Sequence, residues 1–429
     1  VGPEASGCER TWRSLFVSDE RVWPPVSGYR RRTLQILTAL TGLGPLTWVA
    51  APRNRFDDRS PLELPPQLAG ADVEARLVVA GTRGRAATML RWLTSRLSWP
   101  LAAGDWTAVD RVLERHQPTG FDLIWCMGLD ALLAVERAGL GAPVVIVDAD
   151  LESLKLARQI ELGAVLSPLR ALTARLDVGR WGRLETEAAE RVSGFSVCSE
   201  QERDRLGGAA FVTPNSYGLV DDPADPGAWT PTLLFVGALG YQPNREGLEW
   251  FVTEVLPLVR QGHPEARLRV VGSGPELGAG LGRVDGVELV GAVDDIGSEL
   301  RRAAAAVVPI QWGAGTRIKI LEALAHRVPV VSTTLGAEGL ALIDGQHIRL
   351  VDDPSAFAQA CLWALERTPA VDAVVERGHR AFLENYEQVV VTHGLQRHVR
   401  RLLEEADDAG PPRGRPRPAR RRRRGRRSY

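Results

Sequence analysis

Lysine is almost missing from this chain. Of 53 basic side chains only Lys155 and Lys319 are lysines, and the rest are arginines. An arginine at any one position therefore says little, whereas a lysine at 319 departs from the habit of the whole sequence. Cysteine is scarce as well. Cys8, Cys126, Cys198 and Cys361 stand far apart, with neither zinc-site spacing nor a C-x-x-C redox pair. A disulfide-built fold is excluded, and reduced thiols in the cytoplasm are expected. No apolar run is long enough to span a bilayer. Residues 1–10 (VGPEASGCER) lack the pattern of a secretory signal.

What is present is length and an uneven charge. The chain has 429 residues with 44% hydrophobic content, enough for two or three domains with proper cores. The 53 basic and 53 acidic side chains cancel, but residues 413–429 hold ten arginines and no acid, which leaves the other 412 residues at −10. Such a Pro/Gly/Arg tail is expected to be disordered. It could attract anionic lipid or RNA, or stay solvated without a specific role.

The most informative stretch is 304–333, AAAAVVPIQWGAGTRIKILEALAHRVPVVS. It reads as a buried strand over 304–308, a glycine loop at Gly313-Ala314-Gly315, a helix capped by Thr316, and a new strand from Val330 to Ser332. This is the repeating unit of a parallel α/β sheet. Ile318, Leu321, Leu324 and Ala325 form one stripe of the helix. Lys319, Glu322, Ala323 and His326 form another. A glycine loop feeding a helix start leaves backbone N–H groups aimed at one point, which suits a phosphate. Arg317 and Lys319 add positive charge there, and Glu322, one turn deeper, can accept hydrogen bonds from a ribose diol. The competing reading is an ordinary surface ion pair between Lys319 and Glu322.

Gly313 to Ala325, with Val328-Pro329-Val330-Val331-Ser332, resembles the donor-binding segment of family 4 glycosyltransferases of the GT-B fold. In particular it resembles the bacterial subgroup that writes it as a Gly-rich loop followed by T-R-x-K-x-L-E-A. The resemblance implies two Rossmann-like doubly wound domains facing an interdomain cleft. It implies a retaining, metal-independent transfer of sugar from a nucleoside-diphosphate sugar to a glycan, lipid-linked or small-molecule acceptor, with no cofactor. By the same resemblance Glu322 holds the donor ribose. The wider family has another glutamate eight positions earlier; Ala314 stands there, so that carboxylate is missing. Arg245, Lys319 and Glu322 are the implied catalytic set, with Gly313, Ala314, Gly315, Thr316 and Arg317 around the donor.

Three more loops line up with the donor side. Gly237-Ala238-Leu239-Gly240 precedes a helix running from about Glu246 to about Arg260. The wider family carries an arginine and a lysine for the diphosphate here; Ala238 replaces the arginine and Arg245 stands in for the lysine. Gly272-Ser273-Gly274-Pro275 has the first two glycines of a dinucleotide fingerprint, but Leu277 occupies the third, so NAD is not indicated. By resemblance Gly272 and Gly274 line the nucleotide side, and the backbone near Gly291 and Val293 pairs with the base edge.

In the first half, Thr11–Val17, a turn-rich loop ending at Gly28, a helix over Arg30–Leu43 and a strand over Leu46–Ala50 open a doubly wound sheet. Gly28 either faces the cleft or is an ordinary turn. The strand through Val144–Val147 ends in Asp148, Asp150 and Glu152. A D-x-D metal reading competes with a loop or cap role, and Asp150 is placed on the acceptor side. Ser199 and Glu202 form a capping box. The stretches Arg91–Trp106 and Leu166–Leu184 mix arginine with Trp and Leu, which fits either a core-facing helix or peripheral contact with an anionic membrane.

The expected layout is a disordered start over 1–10, an acceptor-side domain over 11–220, a linker over 221–231 and a donor-side domain over 232–386. A helix over 387–405 returns to the first domain, and 406–429 is a tail. The protein is expected in the cytoplasm or at the inner membrane face, with nucleic acid not expected as a partner. The alternatives are a degenerate relative that binds without turnover, an adaptor using the arginine tail, and a sugar-nucleotide epimerase. No acid–base carboxylate pair near the cleft favours the last.

Overall fold

The structure is a computed structural model that describes residues 10–25, 27–52, 62–117, 120–161, 168–220, 230–274, 276, 280–313 and 317–409. Apolar strands pair side by side, and the helices between them cross over to cover both faces. The first sheet runs Val73–Leu77, Leu46–Ala50, Ser14–Ser18, Leu123–Met127, Val144–Asp148, Gly194–Val197, Ala210–Val212. Every pair in it is parallel. The second runs Val287–Gly291, Arg267–Val271, Thr232–Val236, Ala305–Val308, Val330–Ser332, Arg349–Leu350, again parallel throughout.

In each sheet the chain starts centrally, winds to one side, then returns and winds to the other. That order creates a switch point beside the first strand, where two neighbouring crossovers leave in opposite directions and open a crevice. The sheets are sandwiched, so their strands read as continuous apolar runs rather than alternating ones. All five residues of Ser14–Ser18 and of Leu123–Met127 are buried. Phe16, Trp48, Trp125 and Ile146 fill one face of the first sheet, and Leu15, Val49, Ile124 and Phe195 the other.

The final helix, Gln388–Asp408, begins beside the second domain and ends on the first. Leu395, Val399 and Leu403 join the core around Trp48 and Trp125, and Gln396 Nε2 donates to the Ala39 carbonyl at 2.8 Å. Among the described residues no helix is long and apolar enough to cross a membrane.

Three local expectations are corrected. The two helices expected over Ala86–Leu97 and Asp105–His116 are shorter, Arg85–Thr94 and Thr107–Glu114; a short helix Trp99–Ala103 lies between them, and Gly104–Asp105 pairs with Gly81–Thr82. The helix expected from about Glu246 begins earlier, at Gln242, because Pro243 falls at a first-turn position where its missing N–H costs nothing. The donor-side helix is Ile318–Ala325 with Arg317 at the N-cap position; Ala314, Gly315 and Thr316 lie outside the described residues, as do 1–9, 221–229 and 410–429.

Candidate functional site

The carboxyl ends of three adjacent strands of the second sheet finish in Gly237, Gly272 and Gly291. The Gly237 N–H donates to Val271 O and the Gly272 N–H to Gly291 O, both at 2.8 Å. Gly272 has φ +152, and a Cβ there would sit 2.1 Å from the Gly237 carbonyl oxygen, so only glycine permits this approach. Gly274 and Gly291 also take positive φ, +79 and +87. Val293, half-buried, follows directly. The glycine loops singled out in sequence thus form one floor at the switch point.

Lys319 enters over this floor from the first turn of Ile318–Ala325. Its Nζ donates to Asn244 Oδ1 at 2.9 Å and lies 4.8 Å from the centre of the Phe235 ring. Asn244 is itself held, its Nδ2 donating to the Ala238 carbonyl at 2.9 Å. Burial, and then the nearby Arg317 charge, push the Lys319 ammonium down to about 7, with Glu322 acting in the opposite sense. Arg317 is buried beside Gly313. Burial also holds its guanidinium below the ordinary range, against the charges of Tyr241, Asp150 and Glu338. Arg245 is half-buried, with Nη1 3.4 Å from the Leu239 carbonyl.

The helix is buried nearly all round rather than along one stripe. Glu322, Ala323 and His326 are buried although the sequence pattern sets them on the polar side. The second sheet, the helix Pro369–Asn385 and the first domain enclose it. His379 Nδ1 meets the Leu324 carbonyl at 2.9 Å.

The opposite wall comes from the first domain. Ser27 caps the helix Gly28–Thr41 by accepting from the Arg30 N–H at 3.1 Å. A Cβ on Gly28 would be 3.7 Å from Ile318 Cδ1, so the two helix starts face each other across the cleft. Arg31 Nη1 reaches Glu322 Oε1 at 2.5 Å, and its guanidinium lies 5.9 Å from the Tyr217 ring. Arg158, on the helix Glu152–Glu161, donates to the Gly313 carbonyl at 2.9 Å and pairs with the Glu338 carboxylate. Arg31, Arg158, Tyr217, Asn244 and Glu338 carried no signal in the sequence; each is defined by a partner in a distant segment.

Asp150 is partly exposed at the end of Val144–Asp148, with Cys198 Sγ 3.5 Å from its Oδ1. Its charge reaches Arg317 and Lys155. Asp148 instead points inward, and both its oxygens are taken by Arg32, at 2.7 and 2.8 Å. The D-x-D pair therefore diverges, one carboxylate structural and one at the cleft. Ser199 caps the helix Glu200–Leu206, and the Glu202 carboxylate accepts from the Cys198 N–H and the Ser199 hydroxyl. Burial, followed by the Asp150 charge, pushes Glu202 up to about 7.

The model of the family "Glycosyl transferases group 1" matches residues 230–367. A phosphatidyl-myo-inositol mannosyltransferase of Propionibacterium freudenreichii is 32% identical over 167 residues, which is 38% of this chain and 41% of that protein. The chain spans about half the length of the curated relatives it matches. Sucrose-phosphate synthase from Thermosynechococcus elongatus superposes with a TM-score of 0.68 at 18% identity, covering 92% of this chain and 100% of that one. The Anabaena protein HepE in complex with UDP and glucose gives 0.63 at 14% identity, over 91% and 100%. The chain has the GT-B fold, two Rossmann-like α/β domains flanking a cleft, and its residues 230–367 are a domain of the group 1, or family 4, glycosyltransferases.

Proposed function

We propose that the protein is a glycosyltransferase that moves a sugar from a nucleoside-diphosphate sugar to an acceptor hydroxyl, retaining configuration and using no metal ion or cofactor. The observation that carries this reading is the meeting of Lys319, Arg317 and Glu322 at one helix start, over a glycine floor and opposite a second domain. The bond between the anomeric carbon and the donor's phosphate oxygen breaks, and a bond to the acceptor oxygen forms. The acceptor proton leaves with the departing phosphate or to solvent. The charge that grows on the diphosphate meets Lys319, Arg317, Arg245 and the amides that begin the helix. Gly237, Gly272, Gly274, Gly291 and Val293 border the nucleotide, with Gly313 beside Arg317 at the diphosphate. Gly28 and Asp150 belong to the acceptor side.

The acceptor is a glycan, a lipid-linked glycan or a small molecule. We place the protein in the cytoplasm, in peripheral contact with the inner membrane face when the acceptor is lipid-borne. A panel of UDP-, GDP- and dTDP-sugars tests donor binding: the matching donor at 100 times its Kd raises stability by about 2.7 kcal/mol. No shift with any of them would end the reading. Ala314 and Ala238, where the wider family has charged side chains, favour one rival, a protein that binds donor without turnover. Product formed with any acceptor rules that rival out.

Glu322 and Arg31 make a paired prediction. Glu322→Ala should raise the donor KM by roughly 10- to 150-fold, the equivalent of one charge-assisted contact of about 1.5–3 kcal/mol, with kcat less affected. Arg31 now occupies the carboxylate that the ribose needs, so Arg31→Ala should leave donor KM unchanged or lower it. If both variants raise KM equally, Glu322 acts through the domain contact and not through ribose.

A further inference from the structure

The first domain carries an apolar surface that the cleft does not use. On the helix Arg85–Thr94, Thr88 and Trp92 turn inward, whereas Met89, Leu90 and Leu93 are 43%, 65% and 63% exposed. On the helix Pro168–Arg191, Leu172 and Leu176 are 57% and 50% exposed. The two helices are locked together beneath these side chains. Trp92 Nε1 donates to Asp177 Oδ1 at 2.7 Å, Asp177 Oδ2 accepts from the Trp99 N–H at 3.0 Å, and the Arg180 guanidinium lies 4.3 Å over the Trp92 ring. Leu93 and Leu176 each follow or precede a residue of that seam, so the exposed leucines flank it. Single exposed apolar residues are ordinary; five on two interlocked helices are not.

The charge nearest them is mostly positive, although Arg83 is paired with Asp105 and the far end of Pro168–Arg191 carries Glu185, Glu187 and Glu190. Residues 83–99 contain Arg83, Arg85, Arg91 and Arg96 and no acid. In 171–183 the one acid is Asp177, which is buried and spent on Trp92 and Trp99. Arg85, Arg96, Arg175 and Arg183 are exposed and pair with no carboxylate among the described residues. Arginines alone would suit RNA as well. Arginines set around outward leucines and a methionine suit a phase with an anionic surface and an apolar interior.

We infer that this face, built by the helices Arg85–Thr94 and Pro168–Arg191, is a docking surface for an anionic phospholipid bilayer. This deepens the peripheral-contact part of the proposed function by naming the surface, and it does not depend on which sugar is transferred. The leucines and the methionine enter the boundary between headgroups and acyl chains while the arginines remain among the phosphates. The placement also serves the cleft. The helix Pro168–Arg191 is joined to Glu152–Glu161 through Ser153, whose N–H and hydroxyl both donate to the Glu185 carboxylate. Arg158 of that second helix stands at the cleft mouth. A bilayer on the docking face would therefore lie beside the acceptor side.

The test is co-sedimentation of the full chain with vesicles of phosphatidylcholine alone or of an equimolar mixture with phosphatidylglycerol. Binding is expected to the mixed vesicles and to fall with salt. The pair Leu90→Glu and Leu93→Glu should lower partitioning by at least about tenfold, since each buried leucine is worth that much or more. Arg85→Gln with Arg96→Gln should lower it by roughly fivefold per arginine. Both variants should keep the melting temperature and the thermal shift with donor. A donor shift that fails in the wild-type chain as well counts against the transfer reading and leaves the vesicle result to stand by itself. The inference is overturned if the wild-type chain binds no vesicles. It is equally overturned if the leucine variant binds normally while replacing the ten arginines of 413–429 by glutamine abolishes binding. Tight binding to single-stranded RNA that ignores the leucine variant but follows the arginine variant, with no vesicle binding, would reassign the face to nucleic acid.

Discussion

Lys319→Ala is expected to lower kcat by roughly 10- to 150-fold with a smaller change in donor KM, the loss of one charge-assisted contact worth about 1.5–3 kcal/mol. The contact grows in the transition state, because the diphosphate gains charge as the sugar leaves. Fixed positive charge in a half-buried site acts on that change without having to reorganise. The second part of the expectation is a pH profile. In the free protein the Lys319 ammonium is pushed down to about 7 by burial and by Arg317. The protonated form is the one that binds a diphosphate. Donor affinity should therefore be flat below pH 7 and fall by about tenfold per unit above it, until the higher pKa of the complex is reached. Lys319→Arg cannot titrate in this range, so its donor affinity should lose the slope. Isothermal titration from pH 6 to 9 with the nucleoside-diphosphate sugar, whose diphosphate diester keeps its charge over this range, measures this. A wild-type slope that survives in Lys319→Arg would move the titrating group elsewhere, Glu202 being the other side chain of the cleft region shifted to about 7.

Much of the frame of this site could be read from sequence, because it is written locally. A strand closed by a glycine loop and followed by a helix start is a pattern within a dozen residues, and it pointed to the 313–325 segment, while the family resemblance pointed to Gly237, Gly272 and Gly291. Lys319 stood out because lysine is so rare here. The converse explains what was missed. Arg31, Arg158 and Glu338 act between domains, through partners 291 and 180 residues away in sequence. In a chain where nearly every base is arginine, none of these arginines carried information. Asn244 gave way to its neighbour Arg245, since the resemblance asked for a positive charge in that loop. The amide is instead the group that holds Lys319. The helix face was half legible for a related reason. Periodicity reports polar against apolar, so it left Lys319 and Glu322 open between a surface ion pair and a cleft-facing site; in the structure Glu322 meets the wall of another domain. Polar residues lining a cleft and polar residues facing water give the same pattern.

Arg32 presents the largest expected loss of stability. Its Nε and Nη2 engage the two oxygens of Asp148 in parallel, its Nη1 donates to the Thr213 carbonyl at 2.7 Å, and Asn215 Oδ1 and Ser196 Oγ each lie at 3.3 Å. Side-chain exposures of 5% and 1% put the pair out of water. Burial opposes the guanidinium charge, and the adjoining Asp148 carboxylate outweighs it, so Arg32 is held above its ordinary range. Arg32→Ala would strand the Asp148 carboxylate in the core and should cost about 3–5 kcal/mol in urea unfolding. The double variant Arg32→Met with Asp148→Leu removes both charges and should recover much of that loss, because a well-packed apolar pair often matches a buried ion pair. If the single variant costs less than about 1 kcal/mol, water must reach Asp148. The pair also reaches the chemistry. Arg32 ties the helix Gly28–Thr41 to the ends of three strands, and Gly28 and Arg31 ride on the same first turn. In the double variant the fold should hold while the helix start loses its anchor. Its signature would be a raised acceptor KM at near-normal stability, separating the positioning of the acceptor wall from the integrity of the domain that carries it.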